Sequence, residues 1–187
     1  MFFRTGFMLV LLFFLCSSLQ AREIEGVEVP ETISPDGVTL NLNGAGVRTK
    51  FIFDVYVASL YLQNKSNDVQ AILGDDSRRR VVMDFLYSEV DKETLTETWT
   101  EGFEGNSTKE QFAQQQSNID AFNQMFETVK EGDQIVLDYV PGTGTTVSIR
   151  GEQKGVVAGK EFNDLLLSIW LGKKPGDKDL KEELLGK

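Results

Sequence analysis

Apolar and polar residues alternate in several short stretches of the chain, which is typical of β-strands with one buried face. The alternation is clearest directly after Arg78-Arg79-Arg80. There, the apolar or aromatic residues of one parity are Val81, Met83, Phe85 and Tyr87. Two further alternating sets are Val38, Leu40 and Leu42, and Ile135, Leu137 and Tyr139. These stretches predict short strands spread over most of the chain.

Turn signals lie between these strands. Pro141-Gly142-Thr143-Gly144 predicts a hairpin that joins strands over 134–140 and 145–150. Gln153-Lys154-Gly155 predicts a further turn before Val156. Because strands joined by such short turns must run antiparallel, the pattern indicates an antiparallel sheet.

Residues 51–62 have a different pattern, since apolar side chains occupy both parities and glycine and proline are missing. This composition predicts a long strand that is covered on both faces. Asp54 and Tyr56 share one parity, so one face of this strand is expected to be partly polar.

Helical spacing dominates the later part of the chain. Asp68 is expected to cap a short helix through Leu73, and 92–103 is weakly amphipathic. Ser107 with Glu110 forms a capping-box pattern before a periodic run that Gly132 ends. The last two predicted helices cover about 160–171 and 177–185. Together these elements predict an α+β fold, in which helices are layered on one face of a large antiparallel sheet.

The first 21 residues have the features of a signal peptide. Arg4 precedes an apolar run from Phe7 to Leu15, and Ser17, Ser18 and Ala21 supply small residues for cleavage. We expect a cut after Ala21, export to the periplasm or the exterior, and one domain over 22–187. The alternative is a buried N-terminal helix or a membrane anchor; after cleavage, no stable membrane insertion is expected.

The amino-acid composition limits which catalytic groups and partners are possible. The 187 residues contain no histidine, and the single cysteine, Cys16, lies in the expected signal peptide. Serine–histidine and cysteine–histidine nucleophiles and ordinary zinc sites are therefore excluded, and we expect no metal and no cofactor. The formal net charge of −10 argues against a nucleic-acid partner.

Asn43-Gly44-Ala45-Gly46-Val47-Arg48 is the densest candidate for a binding site. The glycines suggest a tight turn, and Arg48 then enters an apolar strand, where it needs an anion or water. The alternative is a hairpin turn with Arg48 in a surface salt bridge. The run Arg78-Arg79-Arg80 is interpreted as a solvated strand entry. Three tyrosines are either hydrogen-bond donors to a ligand or ordinary core residues: Tyr56, Tyr87 and Tyr139.

The chain resembles the chalcone isomerase family, most closely its short, secreted bacterial members. The resemblance rests on 44–48, on Lys50-Phe51, on Leu60-Tyr61-Leu62, on Thr96-Glu97 and Thr100-Glu101, and on Lys160 with the closing helix through 166–173. It implies an open-faced β-sandwich with a ligand cleft between the sheet and the helices. Plant members cyclise chalcones, and an arginine offsets the phenolate anion; related non-catalytic members bind fatty acids through the equivalent arginine.

The family's functional residues match this chain unevenly. Arg48 matches the family arginine, and the family threonine falls near Tyr56. The family's tyrosine falls at about Leu95 and its asparagine at about Gly102, and the serine or threonine of the last helix falls at Ile169 or Ser168. Because several oxyanion donors are lost, efficient cyclisation is not expected, and no residue is assigned a catalytic role.

The main hypothesis is therefore a non-catalytic, exported protein that binds a small amphipathic anion, such as a fatty acid, through Arg48, Tyr56 and Ser168. One alternative is an intramolecular lyase that acts on a phenolic enone with Arg48 and Tyr56. Another is an envelope protein whose acidic surface contacts a partner. The oligomeric state is left open.

Overall fold

The computed structural model describes residues 21–187, so the expected signal peptide over 1–21 lies, apart from Ala21, outside the described residues. The strands are β1 (Ala21–Ile24), β2 (Val27–Pro30), β3 (Thr32–Ile33), β4 (Leu40–Lys50), β5 (Phe53–Leu62), β6 (Arg79–Phe85), β7 (Glu89–Val90), β8 (Val129–Lys130), β9 (Gln134–Val140), β10 (Gly144–Ile149) and β11 (Glu152–Val157). The helices are α1 (Val69–Gly74), α2 (Lys92–Asn106), α3 (Lys109–Gln124), α4 (Lys160–Leu171) and α5 (Lys178–Leu184), with a 3₁₀ turn at Pro35–Gly37.

Seven of these strands form one antiparallel sheet in the order β11-β10-β9-β6-β5-β4-β3. The predicted α+β class, with a large antiparallel sheet and helices, is confirmed. The hairpin predicted over 134–150 is confirmed as β9 and β10, with Val140 opposite Gly144.

The helices cover one face of the sheet. α2, α3 and α4 bring a set of aromatic rings against strand residues such as Leu60 and Met83. The rings that contact one another, edge to face or tilted, include Trp99, Phe103, Phe122, Phe126, Phe162 and Trp170. α4 is the most deeply buried helix, since it is enclosed by the sheet and by the other helices. The opposite face carries a smaller cluster, in which Val29 of the β1–β2 hairpin packs with Leu42, Val57 and Tyr61.

Three local predictions need correction. Gln153-Lys154-Gly155 lies inside β11, and the turn is at Arg150-Gly151, where both residues have positive φ. The capping box is formed by Thr108 and Gln111, one residue later than predicted, and α3 ends at Gln124 rather than near Gly132. No turn forms at 153–155 because Gly155 serves packing. A Cβ at this position would lie 2.6 Å from Met125, so the glycine allows a close approach rather than a turn.

The strand predicted over 51–62 begins only at Phe53. Residues 57–62 are buried on both faces as predicted, but the tip before them is exposed. The prediction of cover along the whole segment is therefore wrong at its N-terminal end, where the β4–β5 hairpin extends beyond the helices.

Gly44 and Gly46 do not form the predicted turn, because both lie within β4. A Cβ at Gly44 would lie 2.0 Å from the carbonyl oxygen of Glu183, and one at Gly46 would overlap the Glu183 side chain. These glycines therefore let α5 lie directly on the strand. This contact fixes the start of α5 next to Arg48, two residues further along β4.

Candidate functional site

Arg48 and Tyr56 lie side by side on the helix-covered face of the sheet. They are direct partners in the β4–β5 register, and a register shift follows Arg48. Because directly opposed residues in an antiparallel pair point to the same face, both side chains face the helices. The strand pair therefore supplies a cation and a phenol at one point.

The Arg48 guanidinium is only partly paired. Its Nη1 donates to Asp177 Oδ2 at 3.3 Å and to the carbonyl oxygen of Thr49. Within residues 21–187, Nε and Nη2 donate to no protein acceptor. The side chain is 17% exposed, so it is screened from most water without being sealed off. The N–H groups of Nε and Nη2, which lie along one edge of the planar guanidinium, are thus available to an anion.

Gly176 borders this free edge of the guanidinium. A Cβ at this position would lie 3.5 Å from Nη2 and 3.7 Å from Nε. Asp177, which follows, caps α5 through Oδ1 and accepts from Thr49 N and Arg48 through Oδ2. The loop before α5 therefore binds Nη1 through Asp177. Because residue 176 is a glycine, the same loop leaves space in front of Nε and Nη2.

Tyr56 can act as a hydrogen-bond donor. Its hydroxyl oxygen accepts a bond from Trp170 Nε1 at 3.1 Å, and its proton reaches no acceptor among the described residues. Burial raises the pKa of the phenol above 10.0, and the smaller opposing effects of Trp170 and Arg48 do not cancel this rise. The phenol is therefore neutral at physiological pH and keeps its proton for a ligand oxygen.

Two adjoining cavities of about 300 Å³ and 270 Å³ meet at these residues. Both are lined by Arg48, Lys50, Tyr56, Leu95 and Thr98, so they form one cleft between the β4–β5 hairpin and α2. The first cavity has mainly apolar and aromatic walls: Phe51, Phe53, Val55, Phe85, Tyr87 and Val90. The second reaches towards α4 and is bordered by residues that include Trp99, Glu101, Trp170 and Lys174. One arm of the cleft therefore suits a hydrocarbon group, and the other is lined by a mixture of apolar and charged side chains.

Hydroxyl groups from α2 add little free donor capacity. Thr98 Oγ1 donates to the carbonyl oxygen of Thr94, and Thr94 Oγ1 donates to Asp91. The groups left to stabilise an anion are Arg48, Tyr56 and the ammonium groups of Lys50 and Lys174. Neither lysine is within salt-bridge distance of a carboxylate in the described part of the chain. The arrangement can hold and orient an anion at the boundary of an apolar wall.

A family model described as chalcone isomerase-like matches residues 21–186, which is nearly the whole described chain. This chain belongs to the chalcone isomerase-like family. Among solved structures, a fatty-acid binding protein of Arabidopsis thaliana is similar to it, with a TM-score of 0.67 and 18% sequence identity. The match covers 89% of this chain and 96% of the plant protein. No curated protein sequence matches the chain.

Two further observations concern the described residues of this chalcone isomerase-like protein. Within residues 21–187, no group of three or more acidic side chains is arranged to hold a metal ion. The helices of this region are too short or too polar for any of them to cross a bilayer.

Ser168 lies apart from Arg48 and Tyr56. Its hydroxyl donates to the carbonyl oxygen of Leu165 at 2.6 Å, and the residue borders a different cavity, next to Asn106 and Gln111. The two strand residues are therefore brought together, whereas the predicted third member is not at the same cleft. Of the other tyrosines, Tyr87 borders the apolar cavity, and Tyr139 donates to Asp76 at 2.6 Å.

The interpretation of Arg78-Arg79-Arg80 as a solvated strand entry is wrong. Arg78 and Arg79 are almost fully buried, and all three arginines pair with carboxylates. Their partners Asp138 and Asp164 lie far away in sequence, so local charge patterning could not identify them.

Sequence reasoning missed the residues that complete the cleft from outside the β4–β5 hairpin. Asp177 lies 129 residues after Arg48, and Gly176, Thr98 and Trp170 come from the helices and their connections. The Asp177 N-cap pattern before a short helix was a usable local signal. The packing of α5 on the two glycines of β4, together with the bond from Thr49 N to Asp177 Oδ2, places that cap next to the arginine.

Proposed function

We propose that this protein binds a small amphipathic anion, such as a fatty acid, without transforming it. The observation that carries the proposal is the free Nε and Nη2 edge of Arg48, which lies next to neutral Tyr56 and at the end of an apolar cavity. A carboxylate would accept from both N–H groups in bidentate fashion and from the Tyr56 hydroxyl. Its hydrocarbon tail would follow the aromatic wall.

The division of the cleft suits this ligand class. Each buried methylene group contributes about 0.8 kcal/mol, so the apolar arm would supply most of the affinity. The charged end would supply orientation, because an unpaired carboxylate buried elsewhere along the wall is costly. The cavity volumes, about 300 Å³ and 270 Å³, are at the lower end for small-molecule sites.

The plant neighbour supports the choice of fatty acid over other amphiphiles. That protein is a fatty-acid binding protein, and the match covers 89% of this chain. At 18% identity this likeness shows the fold alone, so the anionic and amphipathic character of the ligand is inferred from Arg48 and the apolar cavity, and the plant protein suggests only which amphiphile to test first.

Export is the second part of the proposal. We infer that 1–21 is removed and that the protein works in the periplasm or outside the cell. The sequence support is the apolar run after Arg4 and the small residues before position 22. N-terminal sequencing of protein from the extracytoplasmic fraction should begin at Arg22; a chain that retains Met1 and stays in the cytoplasm would contradict this part.

Ligand binding is tested first on the purified protein. Protein from a heterologous host should yield C12–C18 acids in an organic extract by mass spectrometry, and delipidated protein should titrate with the same acids. Loss of two charge-assisted bonds should weaken the affinity of Arg48→Gln by roughly tenfold or more. The matched control is Arg22→Gln, since Arg22 also pairs with one carboxylate, Glu31, but lies outside the cleft.

An empty extract together with no titratable binding would overturn the proposal. Equal affinity in wild type, Arg48→Gln and Arg22→Gln would reject Arg48 as the anion partner. Ring closure of a phenolic enone remains the alternative because Arg48 and Tyr56 are adjacent. Loss of chalcone absorbance above the spontaneous rate, abolished by Arg48→Gln, would favour that alternative.

A further inference from the structure

The tip of the β4–β5 hairpin exposes a continuous apolar segment. Phe51 is 91% exposed, Ile52 is 84% exposed and Phe53 is half exposed. Most other large apolar side chains in the described region are at least partly buried, and Val156, on β11, is an isolated exception at 41%. Single exposed apolar residues are common on protein surfaces, but three in succession at a projecting tip need a physical explanation.

The backbone adds a second unusual feature at this tip. Phe51 has φ of +60°, a left-handed conformation that bulky residues rarely adopt. Glycine or asparagine would fit this turn position with less strain. The hairpin therefore carries an aromatic side chain where local conformational preference disfavours it, which is typical of functional positions.

The apolar tip is continuous with the cleft. Lys50, Phe51 and Phe53 border the apolar cavity, and the Phe53 and Tyr87 rings contact each other with centroids 5.5 Å apart. Ile52 does not line this cavity. The tip therefore forms the rim of the opening through which a ligand would enter. Ile52 is the exposed apolar residue of the tip that does not line the cavity.

We propose that the tip, residues 50–53, inserts into the interfacial region of a lipid bilayer, so that the cleft opens towards the membrane. The part of this inference that concerns ligand transfer rests on the proposed function. The part that concerns contact with the bilayer does not depend on it. An amphipathic anion of low water solubility would then pass between the bilayer and the cavity without crossing open water.

The size and shape of the tip favour a bilayer over a protein partner. A stable protein interface buries about 800 Å² on each side, far more than three side chains at a projecting hairpin can supply. Aromatic rings next to a lysine suit the membrane interface, because the rings enter the headgroup boundary while the ammonium group stays at the surface. Since Asp54 and the net charge of −10 disfavour anionic lipids, the expected surface is zwitterionic.

The test uses full-length mature protein without ligand and vesicles of phosphatidylcholine. Flotation should recover wild-type protein with the vesicles, and Ile52→Glu should reduce the partition coefficient at least tenfold. The matched control Val156→Glu places the same charge at another exposed apolar position and should change partition less than twofold. Both sites are on the surface, so equal thermal melting temperatures would show that both variants are folded; Ile52→Ser provides a second, milder variant.

Three results would overturn the inference. Wild-type protein that stays free of vesicles excludes a bilayer contact, and equal losses in Ile52→Glu and Val156→Glu exclude the tip as its location. Self-association that Ile52→Glu abolishes, without vesicle binding, assigns the tip to a second copy of the chain instead.

A separate measurement distinguishes this inference from the proposed function. Fatty-acid titration in the absence of vesicles should give the same affinity for wild type and Ile52→Glu. If no acid binds but vesicles do, the proposed function fails and the bilayer contact stands. If acid binds, transfer of a fluorescent fatty acid to vesicles should accelerate with vesicle concentration for wild type; a rate independent of concentration overturns the transfer role.

Discussion

Arg79 and Arg48 lie on the same sheet and differ in how completely their donors are used. Every nitrogen of the Arg79 guanidinium donates within the fold: to Asn163 at 2.6 Å, to the Ile72 carbonyl at 2.7 Å and to Asp164. In Arg48, only Nη1 is engaged among the described residues. Saturated donors indicate an internal structural role, whereas unused donors beside a cavity indicate a place for a ligand.

The carboxylate partners differ in the same way. Asp138 accepts from Arg78 and Arg80, and its pKa is lowered because these bonds together outweigh the effect of burial, which alone would raise it. Asp177 is shared between Arg48 and the cap of α5, with the arginine contact at a long 3.3 Å. The arginines and the carboxylate of the buried network are therefore tightly coupled. In the cleft, by contrast, another anion can replace Asp177 at Arg48 at a lower cost in free energy.

The largest expected effect is the loss of stability when the buried Arg79 is replaced. Arg79→Met should lower the free energy of unfolding by about 3–5 kcal/mol, because it leaves buried polar partners unpaired. Arg48→Met should lower it by less than about 1 kcal/mol. Urea denaturation of both variants measures the difference, and similar losses of stability would remove the distinction between the two arginines.

A second variant tests the free edge of Arg48 without changing its charge. Gly176→Leu places a side chain in front of Nε and Nη2, so fatty-acid affinity should fall about tenfold, as two charge-assisted bonds are blocked. Gly105→Leu is the matched control, because a Cβ there meets nothing within 4 Å. Isothermal titration of both proteins provides the measurement; unchanged binding in Gly176→Leu would show that the ligand does not use this edge.

Asp177 competes with an anionic ligand for Arg48, so removing its charge should raise the affinity for the ligand, by a smaller factor than Gly176→Leu lowers it. Asp177→Asn retains an N-cap oxygen for α5 but removes the charge that attracts Arg48. Affinity for an anionic ligand should then rise roughly two- to fivefold, the range expected for one partly exposed ion pair. Asp68→Asn, at the N-cap of α1, is the control; weaker binding in Asp177→Asn alone would mean that Asp177 orients the arginine rather than competing for it.

The smallest expected effect is that of pH. Between about pH 6.5 and 9, guanidinium groups in general do not deprotonate in proteins, and a fatty carboxylate is ionised. The Tyr56 phenol stays neutral because its pKa is raised above 10.0, mainly by burial, and no histidine is present to titrate. Affinity should therefore be constant within about twofold, as measured by titration across this range. A midpoint near neutrality would require a titrating group at the site that these residues do not provide.

Local sequence predicted much of the fold, and the errors have particular causes. The alternation in 81–85 and 135–139 was sufficient for β6 and β9, since it records which face is buried. The sequence predicts turns at Gly44, Gly46 and Gly155, yet each of these glycines lies in a strand beneath another element. A glycine that allows close packing and a glycine that allows a turn are identical in sequence.

The candidate site was predictable only in part, for a related reason. Arg48 was recognised through the 44–48 motif, and Tyr56 follows from strand pairing within one hairpin. The buried role of Arg78–Arg80 was missed because a run of charges is normally solvated, and the neutralising carboxylates come from distant segments.

The sequence by itself determined the α+β class, the antiparallel strands, the absence of histidine chemistry and the candidate arginine of the 44–48 motif. Tertiary structure decided which arginines are saturated, where Ser168 lies and that Gly176 and Asp177 border the guanidinium. The physical reason is range: alternation and capping act over a few residues, whereas the partners of a buried charge are set by strand order and by the packing of α5 on β4.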